Sequence, residues 1–146
     1  MKRFVFSMEK ILELRRFELQ EAEGELGKAN AEVARIQREL DAVASQYVST
    51  TEQYDATRDF EIHLQAQSYF YFLDKKKEDF LNEMTEAKLI ADQKRELVRE
   101  AMQKVKALEK LREKKFEQWK RDTERAQEEE SDDLSIAKYS SPSGST

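Results

Sequence analysis

Residues 8–54 read MEKILELRRFELQEAEGELGKANAEVARIQRELDAVASQYVSTTEQY. Steps of four and three alternate through Met8, Leu12, Arg15, Leu19, Ala22, Leu26, Ala29, Val33, Ile36, Leu40, Val43, Tyr47, Thr50 and Tyr54. Only Arg15 and Thr50 in that series are polar. A seven-residue repeat held this long gives a narrow apolar seam and a left-handed supercoil, whereas a lone globular helix shows a wider, drifting stripe. The helix therefore requires a second helix.

Past Tyr54 the register fails, because it would place Thr57, Glu61, Ser68 and Lys75 on the seam. A second register starts at Phe70 and runs through Leu73, Lys77, Phe80, Met84, Ala87, Ala91, Lys94, Val98, Ala101 and Val105 to Leu108. After a shift of four residues it continues through Arg112 and Phe116 to Trp119, a stutter that unwinds the supercoil locally. Two seams separated by a loss of phase predict an all-α fold, a long antiparallel two-helix coiled-coil hairpin over residues 1–130 that reverses within about 56–69. Each arm would then be on the order of 80 Å long. With the turn centred near His63, Ile36 and Leu40 face the region of Ala87 and Ala91, and large residues meet small ones. No glycine or proline marks the reversal, so the competing fold is one uninterrupted helix in a parallel dimer.

The composition of the 146 residues agrees with long helices. Charged residues make up 39% and hydrophobic ones 38%, and the turn formers are limited to three glycines and one proline. Acids outnumber bases, 31 to 26, so nucleic acid is not the expected ligand. Without cysteine there is neither a disulfide framework nor a thiolate metal site. No run of about 18 apolar residues occurs, so the expectation is a soluble, cytoplasmic chain without direct membrane insertion. Residues 131–146, which hold Pro142 and Gly144, are expected to form a disordered tail.

Catalysis needs a pocket that fixes groups and excludes water, and a two-helix hairpin offers none. The single histidine, His63, is expected in an exposed turn. No phosphate loop, HExxH or calcium-loop pattern occurs, and the expectation is a non-enzyme without cofactors or metals. Gly24 and Gly27 lie inside the first helix, either where another helix comes close or where the cost of glycine is tolerated. More informative are Tyr47, Tyr54, Phe60, Tyr69, Phe70, Tyr71, Phe72 and Phe80, which gather about the expected turn. They either plug the end of the hairpin or also offer anchors to a partner.

The first residues, MKRFVFSMEKILELRR, parse as a helix start. Ser7 is the expected N-cap, Glu9 suits the helix dipole, and Phe6 and Ile11 occupy the positions of a hydrophobic staple. Phe4 and Val5 are left over, to fold back near Phe116 and Trp119 or to enter a partner.

The order F-x-F-S-M-x-K-I-L-E-L-R from Phe4 to Arg15, at the start of a cysteine-free double coiled coil, resembles the flagellar FliJ family. The likeness extends to the long first seam, the aromatic-rich turn and the charged second helix. What the resemblance implies is a component of the bacterial flagellar type III export apparatus, similar to the central stalk of rotary ATPases. Such a stalk binds the hexameric export ATPase, the cytoplasmic domain of the membrane export gate and export chaperones. It sits in the cytoplasm, peripherally at the inner membrane of the flagellar base, in the service of motility and chemotaxis, and is monomeric alone. By that analogy Phe4, Phe6, Met8, Leu12, Phe116 and Trp119 lie at the end bound for the ATPase ring. Tyr47, Tyr54, Phe70, Phe72 and Leu73 are the nearest candidates for the gate contact. The alternatives are the equivalent stalk of a virulence secretion system and a generic dimeric coiled-coil scaffold.

Overall fold

The computed structural model describes residues 2–140 and contains two helices, α1 (Glu9–Ala56) and α2 (Phe60–Ser140). Strong helix formers fill both, and Glu9 and Glu61 place an acid in each first turn, where the helix dipole favours it. The helices form a hairpin, and the parallel-dimer alternative gives way to pairing within one chain. Contacts divide the fold into a turn unit, Glu18–Ala101, and a paired-ends unit that joins residues up to Phe17 with those from Met102 onward.

Residues 57–59 connect the helices, and no described residue has a positive φ. Polar side chains do what glycine or proline would otherwise do. The Asp59 carboxylate accepts the Glu61 N–H at 3.0 Å as the N-cap of α2, and the Asp59 carbonyl accepts the His63 N–H at 3.1 Å. The Thr57 hydroxyl oxygen accepts the Asp59 N–H at 3.2 Å.

His63 is not the exposed loop residue expected of it. It sits half-buried in the first turns of α2, its ring stacked on Tyr54 at 3.9 Å. Its Nε2–H points at the carbonyls of Tyr54 (2.9 Å) and Thr57 (2.6 Å). The last carbonyls of a helix lack intrahelical donors; here α2 supplies one to the end of α1.

In the turn unit the pairing is antiparallel. Tyr54 meets His63, Tyr47 meets Phe70, and Ile36 packs with Met84 and Ala87. Val33, Leu40 and Phe80 close over that last cluster. Because the turn centres on Arg58 rather than His63, the partners of Ile36 and Leu40 shift toward the start of α2. Met84 and Phe80 therefore join Ala87 there. Thirteen of the fourteen seam positions of α1 are buried or half-buried, Tyr47 alone being exposed, so the heptad reading located this face. The α2 seam starts earlier than Phe70, with His63 half-buried and Ala66 buried.

In the paired-ends unit Phe6 and Leu12 are buried, and ion pairs Arg16–Glu109 (3.3 Å) and Arg112–Glu9 (3.0 Å) span the helices. Fully burying a leucine such as Leu12 contributes about 1.5–3 kcal/mol, more than an exposed ion pair at about 0–1 kcal/mol. The apolar seam therefore holds the unit, and the charges select its register. The Leu12 N–H donates to the Met8 carbonyl at 2.9 Å and the Glu9 N–H to the Phe6 carbonyl at 3.1 Å. Met8 thus takes the cap position expected of Ser7, since the turn that carries Phe6 inward uses up Ser7 and Met8. Ile11 stays 42% exposed, so burial here runs through Phe6 and Leu12 and not through a Phe6–Ile11 staple.

Residues 131–140, expected in the tail, continue α2 to Ser140. The rest of that segment, with Pro142 and Gly144, lies outside the described residues. No helix of the described residues is long and apolar enough to cross a membrane.

Candidate partner interfaces

In the paired-ends unit the residues before α1 form a strap. Phe4 lies edge-on to Phe116 at 5.2 Å and tilted against Trp119 at 5.9 Å, while Phe116 and Trp119 stack on each other at 5.8 Å. Arg112 covers the Phe4 ring at 5.6 Å and also pairs with Glu9. Aromatic pairs of this kind add about 0.5–1.5 kcal/mol beyond their buried area. This explains why Arg112 leaves the seam it was expected to continue. Phe4 therefore packs on its own second helix.

Of the six residues expected at this end, Phe6 and Leu12 are buried, and Phe4, Met8 and Trp119 are half-buried. Phe116 is 38% exposed. The apolar surface turned outward near the clasp includes residues the seam pattern set aside, Val5 (80% exposed), Leu14 (51%) and Phe17 (56%), and farther along α2 Leu134 and Ile136. The signal for Leu14 and Phe17 was present, since neither falls on the four-and-three series from Met8.

In the turn unit an aromatic ladder runs from Tyr47 to Phe70 (4.7 Å), from Phe70 to Tyr54 (6.3 Å) and from Tyr54 to His63. Tyr47 is 41% exposed, and Tyr54 and Phe70 are half-buried. Leu73, another of the five candidates, is fully buried and forms the floor of a groove of about 690 Å³ between α1 and α2. Tyr47, Leu40, Val43, Val48 and Leu81 line the same groove. Phe72 stands apart from it. It stacks on Tyr69 at 6.0 Å under the ammonium of Lys76 at 5.3 Å, and the Tyr69 hydroxyl donates to the Gln46 amide oxygen at 3.0 Å.

The turn aromatics thus divide by role. Phe80 joins the Ile36 cluster and Tyr54 and Phe70 pack in the ladder, while Phe60 and Tyr71 remain exposed. Sequence reasoning missed Val48 and Leu81, whose places beside the seam become meaningful only once the two helices are in register.

The outer surfaces carry charge in local pairs. Hydrogen bonding to Arg35 holds the Glu32 carboxyl below its ordinary range, and Arg99 does the same for Glu96. Arg35 also reaches Glu83 across the helices at 3.6 Å, which ties α1 to α2 beside the Ile36 cluster.

The chain offers an aromatic clasp with an outward apolar fringe in one unit and a ladder beside a largely apolar groove in the other. No curated protein and no solved structure matches the chain. Residues 4–144 match the family described as flagellar FliJ protein. With nearly its whole length matched, the chain belongs to the FliJ family and is a flagellar export-related stalk protein.

Proposed function

We propose that this protein is a non-catalytic stalk that binds the hexameric flagellar export ATPase through its paired-ends unit and the cytoplasmic domain of the export gate through its turn unit. It also binds export chaperones, works as a monomer, and resides in the cytoplasm, held peripherally at the inner membrane of the flagellar base. The observation that carries this reading is the family match over residues 4–144, whose description is flagellar and so favours flagellar export over a virulence system. Each unit also keeps exposed apolar side chains after its own packing is complete, as a protein with two partners requires.

At the ATPase end Phe4, Met8, Phe116 and Trp119 present the edges of the clasp, and Phe6 and Leu12 hold it in place from within. At the gate end Tyr47, with Tyr54 and Phe70 behind it, borders the groove floored by Leu73, and Phe72 offers a separate face. An asymmetric helix pair inside a ring acts only by favouring some subunit conformations over others, because a ligand shifts an equilibrium by differential affinity.

The test is titration of the protein into purified export ATPase. Enhanced hexamer formation or an altered hydrolysis rate, with a complex on sizing, is expected. An unchanged ATPase and no complex would remove the reading.

A further inference from the structure

Arg112, Phe116 and Trp119 of α2 follow the spacing i, i+4 and i+7 and so share one face of that helix. Together they form a box around a single aromatic side chain. Phe4 meets Phe116 edge-on at 5.2 Å and Trp119 at a tilt at 5.9 Å, and the Arg112 guanidinium lies 5.6 Å from the centre of the Phe4 side chain. A guanidinium is drawn to the electron-rich face of an aromatic group, and edge-on and tilted contacts exploit the same charge distribution. An aliphatic side chain of equal size would gain less here, so the box selects an aromatic ligand.

The ligand it holds is the chain's own, and its attachment makes it exchangeable. Residues 2–8 lie outside α1, so Phe4 can leave without breaking a helical turn. Phe6 is buried and its carbonyl accepts the Glu9 N–H at 3.1 Å, which pins the strap two residues further on and confines the movement to the residues before it. Val5, between them, is 80% exposed and adds no anchor. The box is also open to solvent, since Phe4 is half-buried and Phe116 is 38% exposed. Beside it lies a cavity of about 370 Å³, walled by Lys2 of the strap and by Trp119, Thr123 and Ala126 of α2. An incoming chain can lie there, next to the side chain it replaces. Exchanging one aromatic group for another keeps the apolar walls of the box covered.

We propose that the box of Arg112, Phe116 and Trp119 is a receptor for an aromatic side chain of the export ATPase, and that Phe4 is its built-in competitor, filling the box in the free protein and leaving it when the ATPase binds. The proposal rests on the ATPase-contact reading above. It adds the class of group recognised and an autoinhibitory strap, which lowers the apparent affinity by the fraction of molecules whose box is vacant.

The test uses the full chain with Lys2→Cys and Ala126→Cys, two positions that line the same cavity in a protein with no cysteine of its own. A short bismaleimide bridging the two thiols holds the strap shut and leaves the box intact; the same variant with both thiols capped by N-ethylmaleimide is the control. Purified export ATPase is expected to bind the bridged protein about tenfold or more weakly than the capped one, and to bind Phe4→Ala about tenfold more tightly than the parent, because the competitor is gone. Adding Trp119→Ala to Phe4→Ala is expected to abolish that gain. Equal binding of the bridged and capped proteins, or binding of Phe4→Ala no tighter than the parent with helix content unchanged, overturns the proposal and leaves the ATPase reading standing. If Phe4→Ala does not fold, the bridged and capped proteins still decide. If neither the parent nor the capped variant binds the ATPase, the ATPase reading fails and the proposal falls with it.

Discussion

His63 shows how one side chain can replace a turn motif. Helix ends commonly close on a glycine in the left-handed conformation, but here the imidazole of α2 donates to the Tyr54 carbonyl in the last turn of α1 and to the Thr57 carbonyl just past it, while its face stacks on Tyr54. His63→Ala should lower stability by about 1–2 kcal/mol, read as a reduced midpoint in chemical denaturation. Phe4 does the comparable work at the other end of the sequence, between Phe116, Trp119 and Arg112. Phe4→Ala should cost roughly 1–3 kcal/mol, less than a fully buried phenylalanine because Phe4 is only half-buried. It should also shift the emission of Trp119, the single tryptophan, to the red as water reaches its ring. Unchanged fluorescence in that variant would mean that the strap does not lie on Trp119 in solution.

At the scale of elements, α1 carries a correctable defect. A Cβ added at Gly24 or Gly27 meets no atom within 4 Å, so these glycines do not serve a close approach of α2. Gly24→Ala and Gly27→Ala should each raise stability by about 0.5–1 kcal/mol, seen as a raised denaturation midpoint in each single variant. The helices themselves were legible because apolar spacing is a property of one strand of sequence: the α1 seam needed nothing but counting. The turn was legible only as an interval, since its markers are a capping aspartate and a histidine clasp that acts over nine residues, and neither resembles a glycine or proline signal. The contact surfaces were the least legible. That Phe4 would spend itself on Trp119 while Phe17 faced outward, or that Val48 and Leu81 would share a trough, depends on which helix turns lie opposite one another. That is a fact about two segments at once.

At the scale of the molecule, both seams belong to one chain, and mass action should follow from that. The thermal midpoint should not move when protein concentration changes by about a hundredfold, whereas a coiled coil made from two chains would melt higher when concentrated. The turn has a further consequence, in time rather than in stability. Bringing Tyr54 and His63 together closes only a short loop, and short loops cost little chain entropy to close. Phe4 and Trp119 are separated by most of the sequence and meet late. In stopped-flow measurements His63→Ala should slow refolding and leave unfolding nearly unchanged, and Phe4→Ala should speed unfolding and leave refolding nearly unchanged. Equal effects of the two variants on both rates would contradict that order of events. If the order holds, the aromatic clasp is the latch that sets how long the native pairing lasts, and the histidine turn is the hinge pin that sets how soon it begins.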